Sequence, residues 1–219
     1  MKGFNNVLEP SFSEVFKNNH DLKGNWHREW FGNERPIIVE LGCGKGEYTV
    51  GLAEKFPEKN FIGIDIKGAR LWKGARESYH RNIANAAFLR TRIEFIESFF
   101  APGEIDEIWI TFPDPQPKRK REKKRLPGPV FLNIYRRILK DNGIIHLKTD
   151  NRELFDYALS VVKANSLEII SSSTDLYSQF PGDPLLSIRT YYEEKFLEQG
   201  IPITYLAFRL PDDKEIINP

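Results

Sequence analysis

From about residue 36 to residue 210, short apolar runs alternate with stretches whose apolar residues recur every three to four positions. IIVEL (37–41), NFIGIDI (60–66) and AAFLR (86–90) are too short for helices and read as buried strands. EIDEIWITF (104–112), IIHLKT (144–149), LEIISSS (167–173) and ITYLAFRL (203–210) continue the series. Helical stretches separate them: one from the glycine turn at 42–46 to about Phe56, one over 67–84, PVFLNIYRRIL (129–139) with Pro129 near its start, and RELFDYALSVVKA (152–164). A short helix is expected near 190–198, and Asp141-Asn142-Gly143 reads as a turn.

Strands separated by helices need crossover connections, which make a parallel sheet. The pattern therefore predicts an α/β fold, doubly wound around a mostly parallel seven-stranded sheet, with the last strand antiparallel. Ligands in such sheets sit at the carboxyl ends of the strands. Residues 36–210 form the predicted domain. Residues 1–35 carry Phe4, Phe12, Phe16, Trp26, Trp30 and Phe31, too many aromatics for a disordered tail, and are expected to pack on the domain as an arm or helical extension. The tail at 211–219, with Asp212 and Asp213, is expected to be solvent-exposed.

Charge and cysteine content narrow the class. Formal net charge is +1, yet residues 118–125 read KRKREKKR, seven basic residues and one acid. An almost neutral chain that gathers its positive charge in one place suggests a phosphate-binding patch, the alternative being a solvated loop. Cys43 is the single cysteine, so no intrachain disulfide forms and a reducing cytoplasm is the expected compartment. The first 16 residues hold no continuous apolar core of a signal peptide, and no uninterrupted apolar run is long enough for a membrane span. His20, His27, His80 and His146 form no metal-ligating constellation, and no metal is expected. Oligomeric state, monomer or homodimer, is open at this level.

Glu40-Leu41-Gly42-Cys43-Gly44-Lys45-Gly46 closes the first strand. Gly42, Gly44 and Gly46 let the backbone turn tightly and approach a ligand, and a helix N-terminus follows. Asp65 ends the second strand, where an acid can accept from both ribose hydroxyls. The spacing is G-x-G-x-G and not the G-x-G-x-x-G of a dinucleotide site, and Glu40 would repel a pyrophosphate but attract the ammonium of a methionine moiety. S-adenosylmethionine is thus favoured over NAD. Cys43 reads as a small side chain under the cofactor, with a nucleophile as the rival reading.

The fourth strand ends in Thr111-Phe112-Pro113-Asp114-Pro115, where two prolines restrict the backbone and hold the Asp114 carboxylate at the carboxyl edge. This motif and the basic run after it, then Lys148-Thr149-Asp150-Asn151, then Thr190-Tyr191-Tyr192-Glu193-Glu194-Lys195-Phe196, resemble the bacterial tRNA (guanine-N(7))-methyltransferase family over about residues 36–210. The resemblance implies a Rossmann-like methyltransferase fold, S-adenosylmethionine as cofactor and tRNA as partner, with the variable loop as target. It also implies that Glu40 and Asp65 bind the cofactor, that Asp114 is the catalytic carboxylate, and that Lys118, Asp150, Thr190, Tyr191, Tyr192 and Glu193 hold the guanosine. Phosphates would fall to Arg119, Lys120, Arg121, Lys123, Lys124 and Arg125.

Two departures stand out. Gln116 occupies a position where the family often has Trp, and Arg92 occupies the adenine-side position after the third strand, where the family offers a polar or acidic residue. Three rival functions remain at this level: an NAD-dependent oxidoreductase, a non-enzymatic RNA-binding module, and a methyltransferase acting on another base or an amino group.

Overall fold

The structure, a computed structural model, describes residues 4–16 and 18–219; Met1–Gly3 and Lys17, part of the expected arm, lie outside the described residues. Among the described residues eight strands form one sheet in the order β1-β4-β3-β2-β5-β6-β8-β7. They are β1 (Val7–Leu8), β2 (Ile37–Leu41), β3 (Asn60–Asp65), β4 (Ala86–Arg90), β5 (Ile105–Thr111), β6 (Leu139–Thr149), β7 (Ile169–Ser173) and β8 (Thr204–Leu210). Every pairing from β1 to β6 is parallel, and β8 runs antiparallel to both β6 and β7. The predicted doubly wound sheet with its reversed last strand is present. The eighth strand was not expected: β1, from the arm, pairs with β4 through Val7↔Phe88 and Leu8↔Leu89. Two residues carry no period, so pattern alone could not find it.

Side-chain parity along the central strands builds two apolar layers. Ile37, Val39 and Leu41 of β2, with Ile108 and Ile110 of β5, face one layer with Leu132, Tyr135 and Phe155. Ile38 and Trp109 face the other, with Tyr48, Leu52, Leu71 and Phe88. Helices α2 (Glu47–Lys55) and α3 (Gly68–His80) supply the second layer; α4 (Pro129–Tyr135) and α5 (Arg152–Ala164) supply the first. Three further α-helices among the described residues are short: α1 (Phe12–Val15), α6 (Leu176–Gln179) and α7 (Tyr191–Glu198).

The helix expected over 129–139 stops at Tyr135, and β6 begins at Leu139, not at 144. The reason lies in the turn residues. Pairing passes from Ile105↔Leu139 to Glu107↔Ile144, so three extra residues bulge out of β6, with Asn142 at φ 57°. A Cβ on Gly143 would stand 3.1 Å from the Asp106 carbonyl oxygen and 3.0 Å from that of Lys140, which is why glycine closes the bulge.

The arm packs into the first layer. Trp26 is wholly buried, stacks on Phe100 at 5.4 Å, and donates its Nε1 hydrogen to the Phe99 carbonyl at 2.8 Å. Glu104 accepts the Gly24, Trp26 and Ala101 amides at 2.8–3.1 Å. Most of the tail is exposed as expected, with one exception. Asp212 and Asp213 are on the surface side, but Ile216 is 2% exposed and belongs to the core. Asn133 pairs with both backbone groups of Ile216, at 2.8 and 3.0 Å. Asn165 does the same for Ile217, at 2.9 Å each way. Side-chain amides mimic a strand partner there, a pairing no local pattern announces. No helix among the described residues is long and apolar enough to cross a membrane.

Candidate active site

The glycine turn leaves β2 at the carboxyl edge, between β3 and β5. Gly42, Gly44 and Gly46 all have positive φ, at 74°, 55° and 72°. At Gly46 the space is also closed: a Cβ would lie 2.6 Å from the Phe88 ring and 3.0 Å from the Gly74 Cα of α3. Helix α3 and the turn thus touch backbone to backbone, which only glycine allows. Cys43 points away from the edge into the second core layer, and burial raises its thiol well above the usual range. That is the small-side-chain reading, not a nucleophile.

Glu40 shares the parity of Ile38 and so faces α2. It is 3% exposed. Its Oε2 accepts the Thr49 amide at 2.9 Å and the Thr49 hydroxyl at 2.5 Å; its Oε1 accepts the Thr111 hydroxyl at 2.5 Å. Burial pushes its carboxyl up to about 7, against the pull of these donors. Asp65, at the end of β3, accepts the Gly44 amide at 2.9 Å on Oδ2 and the Lys67 amide at 2.7 Å on Oδ1. It holds the glycine turn in shape.

A cavity of about 570 Å³ opens at this edge, lined by Gly42 and Asp65 from one side and by Gln116, Lys124, Leu126 and Phe131 from the other. The glycine turn and the loop after β5 therefore share a cleft. Arg92 also lines it, exposed and bonded to Glu94 at 3.2 Å. Glu94 lines the cavity too, an acid the sequence reading missed because it sits four residues past the strand's expected end at Arg90. The Pro-Asp-Pro loop is strained at both flanks: Phe112 has φ 48° and Gln116 φ 47°. Asp114 is exposed, and its Oδ1 accepts the Gln116 amide at 3.0 Å. Residues Arg119–Lys124 form a 3₁₀ turn beginning at Lys118, with the basic side chains outward. Arg125 fastens this turn, its Nε reaching the Gln116 carbonyl at 3.4 Å and its guanidinium lying 4.4 Å over the Tyr157 ring.

Residues 34–206 match the family described as "Putative methyltransferase". A tRNA (guanine-N(7)-)-methyltransferase of Bacteroides thetaiotaomicron is 50% identical over 219 residues, all of this chain and 86% of that protein. One of the same name from Christiangramia forsetii is 50% identical over 208 residues, 94% of this chain and 93% of its own length. Another, from Listeria monocytogenes, is 40% identical over 90% of each chain. The chain belongs to the tRNA (guanine-N(7))-methyltransferase family. The 16S rRNA methyltransferase KamB has a similar fold, with TM-score 0.65 at 12% identity over 89% of this chain and 95% of that one. At that identity the likeness speaks for the fold alone.

In this member of the tRNA (guanine-N(7))-methyltransferase family, the Thr190–Glu193 stretch divides between interior and surface. Glu193 is wholly buried and forms an ion pair at 2.8 Å with Lys148 of β6, which is buried as well. Lys148 also donates to the carbonyls of Leu186 and Ile188, at 3.1 and 3.2 Å, and Tyr177 donates its hydroxyl to Glu193. Burial lowers the Lys148 ammonium, with Glu193 opposing. Thr190 and Glu193 cap the start of α7 reciprocally, the Thr190 hydroxyl accepting the Glu193 amide at 3.2 Å. Tyr191 and Tyr192 face outward, at 44% and 48% exposure. Lys45 of the glycine turn lies 4.1 Å over the Tyr191 ring, and the Tyr191 amide donates to Glu47 at 3.0 Å.

Helix α7 is thus tied both to the glycine turn and, through Phe112–Phe196 ring stacking at 6.1 Å, to the Pro-Asp-Pro loop. Lys148 was legible as an anomaly: a lysine inside an apolar strand demands a buried partner. Asp150 follows β6 half-buried, its carboxyl raised by desolvation, while Asn151 takes the cap of α5 by accepting the Leu154 amide at 2.8 Å. His146 lies in the sheet interior, stacked on Trp109 at 4.0 Å and bonded to the Tyr205 hydroxyl at 2.8 Å. No metal-holding cluster occurs among the described residues.

Proposed function

We propose that this chain transfers a methyl group from S-adenosylmethionine to the N(7) atom of a guanosine in the variable loop of tRNA. The carrying observation is the cleft in which Gly42 and Asp65 face Gln116 and Lys124. Its size lies within the ~300–1,000 Å³ of small-molecule sites. The donor set also fits the cofactor. Each Asp65 oxygen keeps an acceptor direction free for a ribose hydroxyl beyond the backbone amide it already holds. Glu40, its carboxyl raised by burial, gains most from a nearby ammonium, which would draw off its proton. The apolar Ile66, Ile93, Leu126 and Phe131 suit an adenine ring, and Arg92 and Glu94 its polar edge.

When bound, S-adenosylmethionine supplies a methyl carbon made electrophilic by its sulfonium. Guanine N(7) carries a lone pair and no proton, so this chain needs no strong base. Its task is to hold that lone pair ~3–3.5 Å from the methyl carbon. Asp114 accepts from the guanine imino and amino donors and offsets the positive charge that grows on the ring. Asp150, Tyr191 and Tyr192, which stand outside the lining of that cavity, contact the guanosine. Thr190 and Glu193 act from behind, holding the tyrosines in place. The N(7) edge is out of reach inside A-form RNA, so the guanosine must be unstacked, and residues 118–125 grip the flanking phosphates. The test is incubation of unmodified tRNA with labelled cofactor, followed by nucleoside analysis. 7-Methylguanosine at one position is expected; a different methylated nucleoside, or none, defeats the proposal.

A further inference from the structure

Residues 118–125 are not the only place where positive charge gathers. Residues 67–76, KGARLWKGAR, hold four basic residues and no acid. The two stretches contain eleven of the 32 Lys and Arg and one of the 31 Asp and Glu, leaving the rest of the chain with 21 basic against 30 acidic residues. Lys67 precedes α3, while Arg70, Lys73 and Arg76 lie on it, and all four are exposed. Spacing by three residues spreads the helical three over an arc of roughly 120°, and a rise of ~1.5 Å per residue sets Lys67 and Arg76 about 13 Å apart along the axis.

Several other surface arginines are neutralised: Arg81 by Glu54 and Glu77, Arg137 by Glu97, Arg152 by Asp156. None of Lys67, Arg70, Lys73 and Arg76 forms an ion pair with a described residue. The Arg76 guanidinium instead lies 5.3 Å over the Trp72 ring. Beside it a cavity of about 390 Å³ is lined by Trp72, Lys73, Arg76, His80 and Arg81, with Glu77. Unpaired cations and an aromatic face in a concave setting suit a phosphodiester backbone. The helix also starts at the active cleft, since Asp65 and Ile66 line the same cavity as Lys124 of the other basic stretch. Lys124 of the first basic stretch and the start of α3 therefore border one cleft, whose lining also includes the acids Asp65 and Glu94.

We infer that α3 is a second phosphate-binding surface, which takes the backbone of the same tRNA away from the methylated guanosine. This rests on the tRNA reading above. The test compares the wild-type protein with the triple variant Arg70→Gln, Lys73→Gln, Arg76→Gln, using full-length tRNA and a short RNA hairpin carrying the target guanosine. Direct RNA binding is measured alongside methyl transfer over a salt series. With full-length tRNA, KM and the dissociation constant should rise on the order of tenfold, and the log–log salt slope should flatten by about 2. Hairpin values and binding of S-adenosylhomocysteine should stay as in the wild type. The charge-preserving pair Arg70→Lys, Arg76→Lys should recover wild-type binding. A folded triple variant with unchanged tRNA affinity and slope overturns the inference, as does an equal loss on the hairpin, which would put these cations at the target itself. Absence of 7-methylguanosine with the wild-type protein would strike the functional reading alone, because the binding arm reports on α3 independently.

Discussion

Glu40 carries a conflict at the scale of one residue. Its position at the strand end buries it, while three hydrogen bonds favour its charge, and burial wins. An acid whose carboxyl sits at about 7 in the fold, against 4.5 ordinarily, stabilises the fold relative to the unfolded chain only while protonated. That contribution is complete below about pH 4.5 and lost as pH rises through about 7, amounting to roughly 3 kcal/mol. Thermal melting of the ligand-free protein from about pH 5 to pH 8 should therefore fall more steeply in the wild type than in Glu40→Gln, and S-adenosylhomocysteine should flatten the wild-type curve. Identical pH dependence in both proteins would remove this account.

Asp114 is a different case, exposed and tied only to the next loop amide. Its expected contribution is to transfer and not to folding. Asp114→Asn and Asp114→Ala should lower kcat on the order of 10²–10³-fold with melting temperature unchanged. Near wild-type turnover in both would exclude the role.

Among elements, the informative joints are α7 on β6 and the tail on α4 and α5. Lys148 and Glu193 are both wholly buried, so removing one strands the other. Lys148→Met alone should cost ~3–5 kcal/mol by chemical denaturation, and combination with Glu193→Leu should recover more than half of it. An additive double variant would mean that the two do not couple. The tail matters to the basic stretch because Asn218 donates to Glu122 at 3.1 Å and Tyr157 reaches Asn218 at 3.4 Å. Replacing Asn165 by Ala frees two backbone groups of Ile217, at ~1–3 kcal/mol. Limited proteolysis should then cut within 118–125 faster than in the wild type, and unchanged cleavage would show that the strap does not reach the loop.

The whole molecule is a nearly neutral body whose densest basic stretch reaches the cleft through Lys124. Neutralising Arg119, Lys120, Arg121, Lys123 and Lys124 together should weaken tRNA binding by at least 10²-fold at low salt and flatten the salt slope by ~3–4. Filter binding across a salt series decides it; an unchanged slope would leave these side chains as mere solvated charge.

At each scale the sequence spoke for what is local. Period-2 and period-3.6 patterns placed the central strands and helices, and the glycine spacing placed the turn. Those signals are set by backbone sterics and side-chain alternation over a few residues, so they survive without a fold. The tertiary structure alone decided which side chains meet: that Glu193 turns inward to Lys148 while Tyr191 and Tyr192 stay outside, that Val7–Leu8 adds a strand, and that asparagines seat the tail. Such contacts join segments distant in the chain. Burial and hydrogen-bond satisfaction select them only after the sheet has brought those segments together.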